Sequence, residues 1–136
     1  MSPTTLDDLG KLVLRLTIGV LILFHGVAKL LNGIGPIEAM IVARGMPAFF
    51  AWAVYIGEVI APLLLIFGFY TRLGGLLITL NMLVAIVLAH ASHVFQLTGS
   101  GGLRLELQCL FLFGSLAVAL LGAGRYSISG KGGSWN

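Results

Sequence analysis

Cysteine and charge are the two things this chain has least of. A single cysteine, Cys109, stands among 136 residues. An intramolecular disulfide is therefore impossible, and so is a Cys-x-x-Cys redox pair. Cys109 reads as a small apolar residue on a helix. Asp, Glu, Lys and Arg together make up 10% of the chain, against roughly 25% in an average soluble domain. A glycine-rich phosphate loop, a nucleophile elbow and a Cys-x-x-Cys-His haem signature are all missing. So are His-x-x-x-His and Glu-x-x-His pairs. A metal would need ligands gathered from separate helices, and no metal site is expected. The net charge of +3 comes from basic residues set singly at segment ends, which argues against nucleic acid as a partner.

What the chain has is apolar surface. It is 58% hydrophobic, with a mean hydropathy of +1.04. A soluble fold of this length could not bury that much, so the lipid bilayer is the expected surrounding. Four stretches approach the roughly 20 apolar residues that cross a bilayer at 1.5 Å per residue. They run from about Leu12 to Leu31, Ala48 to Phe69, Leu73 to Ser92 and Leu103 to Leu121. Asp7 and Asp8 spoil a signal peptide, so the first stretch is expected to be retained. Asn32-Gly33-Ile34-Gly35-Pro36 breaks the first stretch, and Pro36 suits the first position of a short helix. Ile37, Met40 and Ile41 would share one face of that helix, placing it along the membrane surface. Pro62 predicts a kink in the second stretch. The Phe69-to-Leu73 turn forces the second and third helices to be antiparallel neighbours. Thr98-Gly99-Ser100-Gly101-Gly102 marks a mobile connection.

The expected fold is all-α: one membrane domain over residues 1–126 and a flexible Gly- and Ser-rich tail over 127–136. The domain is a four-transmembrane-helix bundle, up-down-up-down, with a short interfacial helix between helices one and two. Both termini then share a side with Lys11, Arg15, Arg72, Arg125 and Lys131, and the other side carries Lys29, Arg44 and Arg104. The positive-inside rule makes the first side cytoplasmic.

Polar residues inside these stretches are the strongest pointer to function, because a charge at a helix centre costs about 2.5–3.5 kcal/mol on insertion scales. His25, Lys29, Glu58, His90 and Glu106 come from four helices and share the outer half of the bundle. Glu58 sits about 15 Å down, near the midplane. A desolvated glutamate lowers its cost by pairing with a cation or taking a proton. By depth, His25 is the expected partner of Glu58, and Lys29 that of Glu106. Arg15 lies near the cytoplasmic end, where it can snorkel to headgroups. His90 and His93 can cap a helix end. Asn81 reads as interhelical glue, and Gly19 and Gly26 as close-packing sites. Phe24, Phe49, Phe50, Trp52 and Tyr55 are candidates to line an apolar pocket. The candidate ligand-binding set is His25, Lys29, Glu58, His90, Glu106 and Arg15. A weak repeat also shows: Arg15-Leu16 and Arg72-Leu73 open two helices, and Gly68-Phe-Tyr-Thr-Arg72 loosely echoes Gly122-Ala-Gly-Arg-Tyr126. Such an echo suits a duplicated helical hairpin.

In order and spacing, several motifs resemble the DoxX family of small four-helix membrane proteins. They are Leu14-Arg-Leu-Thr-Ile-Gly19, Phe24-His-Gly-Val-Ala-Lys29, Arg44-Gly-Met-Pro47, Gly57-Glu58, Gly68-Phe-Tyr-Thr-Arg72, Ala85 and Gly122-Ala-Gly-Arg-Tyr-Ser127. The resemblance covers about Leu9 to Ser129. It implies a prokaryotic inner membrane and an association with redox chemistry, since some relatives are named as subunits of quinone-linked oxidoreductases. It points to Arg15, His25, Lys29, Glu58 and Arg72. Three functional readings follow. One is a redox-linked module that binds a quinone or similar small apolar ligand. It would be an oxidoreductase-associated subunit rather than a stand-alone enzyme, with electrons supplied by a redox partner protein. The second is a transport module for a small solute or proton, which would need a homo-oligomer to form a path. The third is a scaffold whose polar residues only fix packing.

Overall fold

The first helix starts well before the apolar stretch does. In the computed structural model, which describes residues 2–130 and 132–136, α1 runs Pro3–Asn32. Lys131, counted above among the basic residues, lies outside the described residues. Ser2 caps α1 by accepting from the Thr5 N–H at 3.3 Å, and Pro3 occupies its first turn. Asp7 and Lys11 pair at 2.7 Å one turn on. Hydropathy marks where lipid begins, whereas caps mark where helix begins. Thirty residues make about 45 Å of helix, longer than the roughly 30 Å hydrocarbon core.

Four more helices follow: α2 (Gly35–Ala43), α3 (Ala48–Phe67), α4 (Thr71–Ala89) and α5 (Glu106–Leu121). Pro36 lies in the first turn of α2. A single 3₁₀ turn, Ala91–His93, continues from α4. Among the described residues no strand forms beyond an isolated bridge between Leu97 and Leu103. Among the described residues three helices, α1, α3 and α4, are long and apolar enough to cross a membrane; α5 is apolar but has 16 residues.

α1 packs on α3, α3 on α4, α4 on α5, and α5 back on α1. Their shared core includes Ile18 and Ile22 of α1, Ala61 and Leu65 of α3, Ile78 and Met82 of α4, and Phe111 and Val118 of α5. A second cluster joins Ile34, Ile41 and Ala51 with Ile37, Val54, Tyr55 and Leu88. The face shared by Ile37 and Ile41 is thus turned onto α3 and α4. Large apolar side chains such as Phe24, Phe113 and Leu120 point outward, as a lipid-facing surface requires.

Two arginines tie the far end of the bundle in the same way. Arg15, 2% exposed, does not snorkel. Its Nη1 donates to the carbonyls of Leu65 (2.6 Å) and Ile66 (2.8 Å), and its Nη2 to that of Tyr126. Arg72 Nη1 donates to the carbonyls of Ala119 (3.0 Å) and Leu120 (2.7 Å), and its Nε to that of Asn136 (3.1 Å). Each guanidinium donates to last-turn carbonyls of a neighbouring helix, α3 or α5, where the regular intrahelical ladder runs out. Each of those helices ends at a glycine with positive φ, Gly68 or Gly122. The repeated Arg-Leu and glycine motifs therefore mark a repeated clasp. Ile128 and Trp135 tie the C-terminal segment to the α3–α4 turn. Ile128 N–H donates to the Phe67 carbonyl (3.1 Å), and Arg72 N–H to that of Trp135 (3.1 Å).

Candidate functional site

α3 is not a uniform α-helix. It opens as 3₁₀ (Ala48–Trp52), passes through one α turn, widens to a π turn over Ile56–Ile60 and resumes α geometry at Ala61. Pro62 has no N–H, so it cannot bond the carbonyl four residues back, that of Glu58. The kink expected at Pro62 takes the form of this wider turn, a geometry frequent at functional sites. Glu58 sits within it, 6% exposed. Gly26 of α1 lies directly against the Glu58 carbonyl, where any Cβ would overlap the oxygen. That approach places Lys29, one turn further along α1, at the level of the Glu58 side chain.

Lys29 Nζ donates to Glu58 Oε2. Asn81 Nδ2 of α4 donates to Glu58 Oε1 at 3.3 Å. The Tyr55 hydroxyl donates to the Lys29 carbonyl at 3.2 Å. Three helices thus converge on one carboxylate. Gly57 makes room for this, since a Cβ there would stand 2.5 Å from the Asn81 Cβ.

This ion pair separates two chambers. The first, about 400 Å³, lies between α2, α3 and α4; Met40, Phe50, Val54 and Leu80 help line it. The second, about 210 Å³, lies between α1, α4 and α5; His25, His90 and Gln108 line it beside Ile22, Met82 and Phe111. Lys29, Glu58 and Ala85 belong to both walls.

The structure brings together four of the six residues singled out in the sequence: Lys29 and Glu58 as a pair, His25 and His90 in the second chamber. It changes who pairs with whom. The expected Glu58–His25 contact is replaced by Glu58–Lys29, because the four-carbon lysine stem reaches the carboxylate. The His25 ring instead meets Phe111 edge-on, with centroids 5.9 Å apart. His90 Nδ1 lies 3.3 Å from the Ala85 carbonyl. Glu106 does not meet Lys29. It is exposed in the first turn of α5 and accepts from the Leu103 N–H at 3.1 Å, where the helix dipole favours an anion. Arg15 lies about 21 Å away along α1, in the clasp described above. Of the five aromatics expected to line a pocket, Phe50 lines the first chamber, while Phe24, Phe49 and Trp52 are mostly exposed. Gln108 was not singled out; an amide inside an otherwise apolar stretch was the available signal. Among the described residues no group of three metal-ligating side chains gathers.

The family described as DoxX matches residues 10–91, which takes in the ion pair, both chamber histidines and both arginines but not Glu106 or Gln108. A protein of Bacillus subtilis (strain 168) named "Putative oxidoreductase CatD" is 30% identical over 116 residues, covering 85% of this chain and 81% of that protein. No solved structure matches.

Proposed function

The chain belongs to the DoxX family of membrane proteins, and from that footing we propose that it is an accessory, redox-linked module holding a quinone-like or other small apolar ligand. The observation that carries this reading is the first chamber: about 400 Å³, walled mainly by aliphatic side chains, with Lys29, Glu58 and Asn81 grouped on one side. Ligand pockets commonly span roughly 300–1,000 Å³, apolar with a few convergent polar groups. The donor set fits a carbonyl-bearing ring. Lys29 has three N–H donors and Asn81 two; one of each is directed to Glu58, which leaves donors for a ligand oxygen. A quinone in that place would supply reversible two-electron, two-proton carriage. The chain's own part is to exclude water with aliphatic walls, to orient a carbonyl oxygen through Lys29 and Asn81, and to keep a carboxylate beside it. The relative's oxidoreductase name supports the redox half of the reading, with a partner protein as the electron source.

In this reading α5 is the fourth span, the bundle runs up-down-up-down, and α2 lies at the interface. Both termini face the cytoplasm of a prokaryotic cell, and the membrane is the inner one. A permeation module is the alternative, since chambers flank one ion pair on both sides. It needs a path onward to the Arg15 end, where Ile18, Leu65, Ile78 and Val118 fill the core. The test is native mass spectrometry of the detergent-purified protein with organic extraction. A stoichiometric quinone, reduced at least tenfold by Glu58→Gln and by the chamber-filling Val84→Trp, is the expected result. Phospholipid alone, unchanged in both variants, would overturn it.

A further inference from the structure

The second chamber differs from the first in chemistry. Its walls carry His25 and Lys29 from α1, Glu58 from α3, His90 from the end of α4 and Gln108 from α5. Asn81 and Tyr55 complete the polar groups around the pair; Glu106 is turned away to the Leu103 N–H. The remaining lining includes Ile22, Met82 and Phe111, which are members of the bundle core. Part of the chamber wall is therefore bundle core, and its polar lining includes both members of the Lys29–Glu58 pair.

We propose that this second chamber is a water and proton port serving Glu58, separate from the apolar ligand chamber on the other side of the ion pair. At about 210 Å³ it has room for several waters, each needing two to four polar partners, and the two histidines, Gln108 and the ion pair provide them. The Ala85 carbonyl can only accept, so a hydrogen bond from His90 puts the hydrogen on Nδ1 and leaves Nε2 for the chamber. An imidazole that takes a proton from a hydronium ion of the aqueous phase becomes imidazolium, hands that proton through chamber water to the Glu58 carboxylate and returns to its neutral form. One proton moves in each transfer and no electron does. Protonation cancels the charge that holds Lys29 and frees its Nζ to turn toward either chamber. The use of such a port rests on the ligand reading above; its existence does not.

The test uses the full-length protein carrying Cys109→Ala and a single new cysteine. Gln108→Cys in the port is expected to react with a charged, membrane-impermeant methanethiosulfonate. Val84→Cys in the apolar chamber is expected to resist that reagent and to react with a lipophilic maleimide. In the Gln108→Cys protein, a water-soluble carbodiimide should consume Glu58, read as loss of its unmodified peptide by mass. Plugging the new cysteine beforehand should slow that loss at least tenfold. A Gln108→Cys that reacts only with the lipophilic reagent, or a plug that leaves Glu58 consumption unchanged, overturns the port. His90→Cys repeats both measurements should Gln108→Cys fail to fold. Intact port labelling with no extractable quinone would sink the ligand reading and leave the port standing.

Discussion

Gly26 of α1 presses its bare Cα against the backbone carbonyl of Glu58 on α3. The contact sets the spacing of the two helices at the level of the ion pair, and Lys29 reaches Glu58 one turn beyond it. Gly26→Ala puts a methyl group where that oxygen stands. Overpacking of this kind costs about 1–3 kcal/mol, and here it pushes α1 off α3. The expected result is a clear fall in melting temperature in detergent. Gly10→Ala, at a position with nothing within 4 Å, should leave the melt unchanged or raise it slightly, because alanine is the better helix former. Equal losses at both positions would contradict the close approach.

The Lys29–Glu58 pair should behave asymmetrically. Lys29→Met leaves a carboxylate in an 8% exposed side chain with Asn81 as its remaining donor. Breaking a fully buried pair costs about 3–5 kcal/mol; a smaller loss is expected here because the lysine side chain is 25% exposed. Lys29→Met with Glu58→Leu removes both charges and should be more stable than Lys29→Met alone. Chemical denaturation of the two variants measures this. A double variant that still retains the ligand proposed above would make the pair a packing device with no part in binding it.

Arg15 and Arg72 predict matched effects. Each guanidinium serves three carbonyls, and an ammonium cannot reproduce that planar fork. Arg15→Lys and Arg72→Lys should each lose about 1.5–3 kcal/mol, the range for a hydrogen bond to a charged group. Ligand retention should be unaffected in whatever remains folded, because Arg15 lies far from both chambers. A specific loss of extractable ligand in Arg15→Lys would return that residue to the binding set.

Several of these features were legible in the sequence. The apolar stretches gave helices with boundaries shifted by a few residues, apart from the start of α1. The glycine pair, the proline and Asn81 fell where their chemistry predicts. The half of the bundle that collects polar residues was readable from depth, since a residue's rise along a helix follows from its number. Pairing was not readable, because it depends on helix rotation. One residue changes the direction of a side chain by about 100°, and the π turn over Ile56–Ile60 alters that count where Glu58 sits. The expected Lys29–Glu106 pairing fails for a different reason. A nearby backbone N–H at a helix start competes successfully for the Glu106 carboxylate.

Pro62 tests whether the π turn is what aims Glu58. Pro62→Ala returns an N–H that can bond the Glu58 carbonyl and favours regular α geometry. That change would rotate residues before it by up to about 100° relative to those after it. Relief of a proline inside a helix, worth about 3 kcal/mol in the general case, offsets the small cavity left at a buried position. The variant should therefore remain folded. Carbodiimide joins an amine to a carboxylate only when they touch, so the Lys29–Glu58 amide cross-link reports their contact by mass. A folded Pro62→Ala protein with a several-fold lower cross-link yield is the expected outcome. An unchanged yield would mean that tertiary contacts at Gly26 and Gly57 hold the turn open without the proline, and that the close packing of α1 and α4 on α3 is what places the carboxylate.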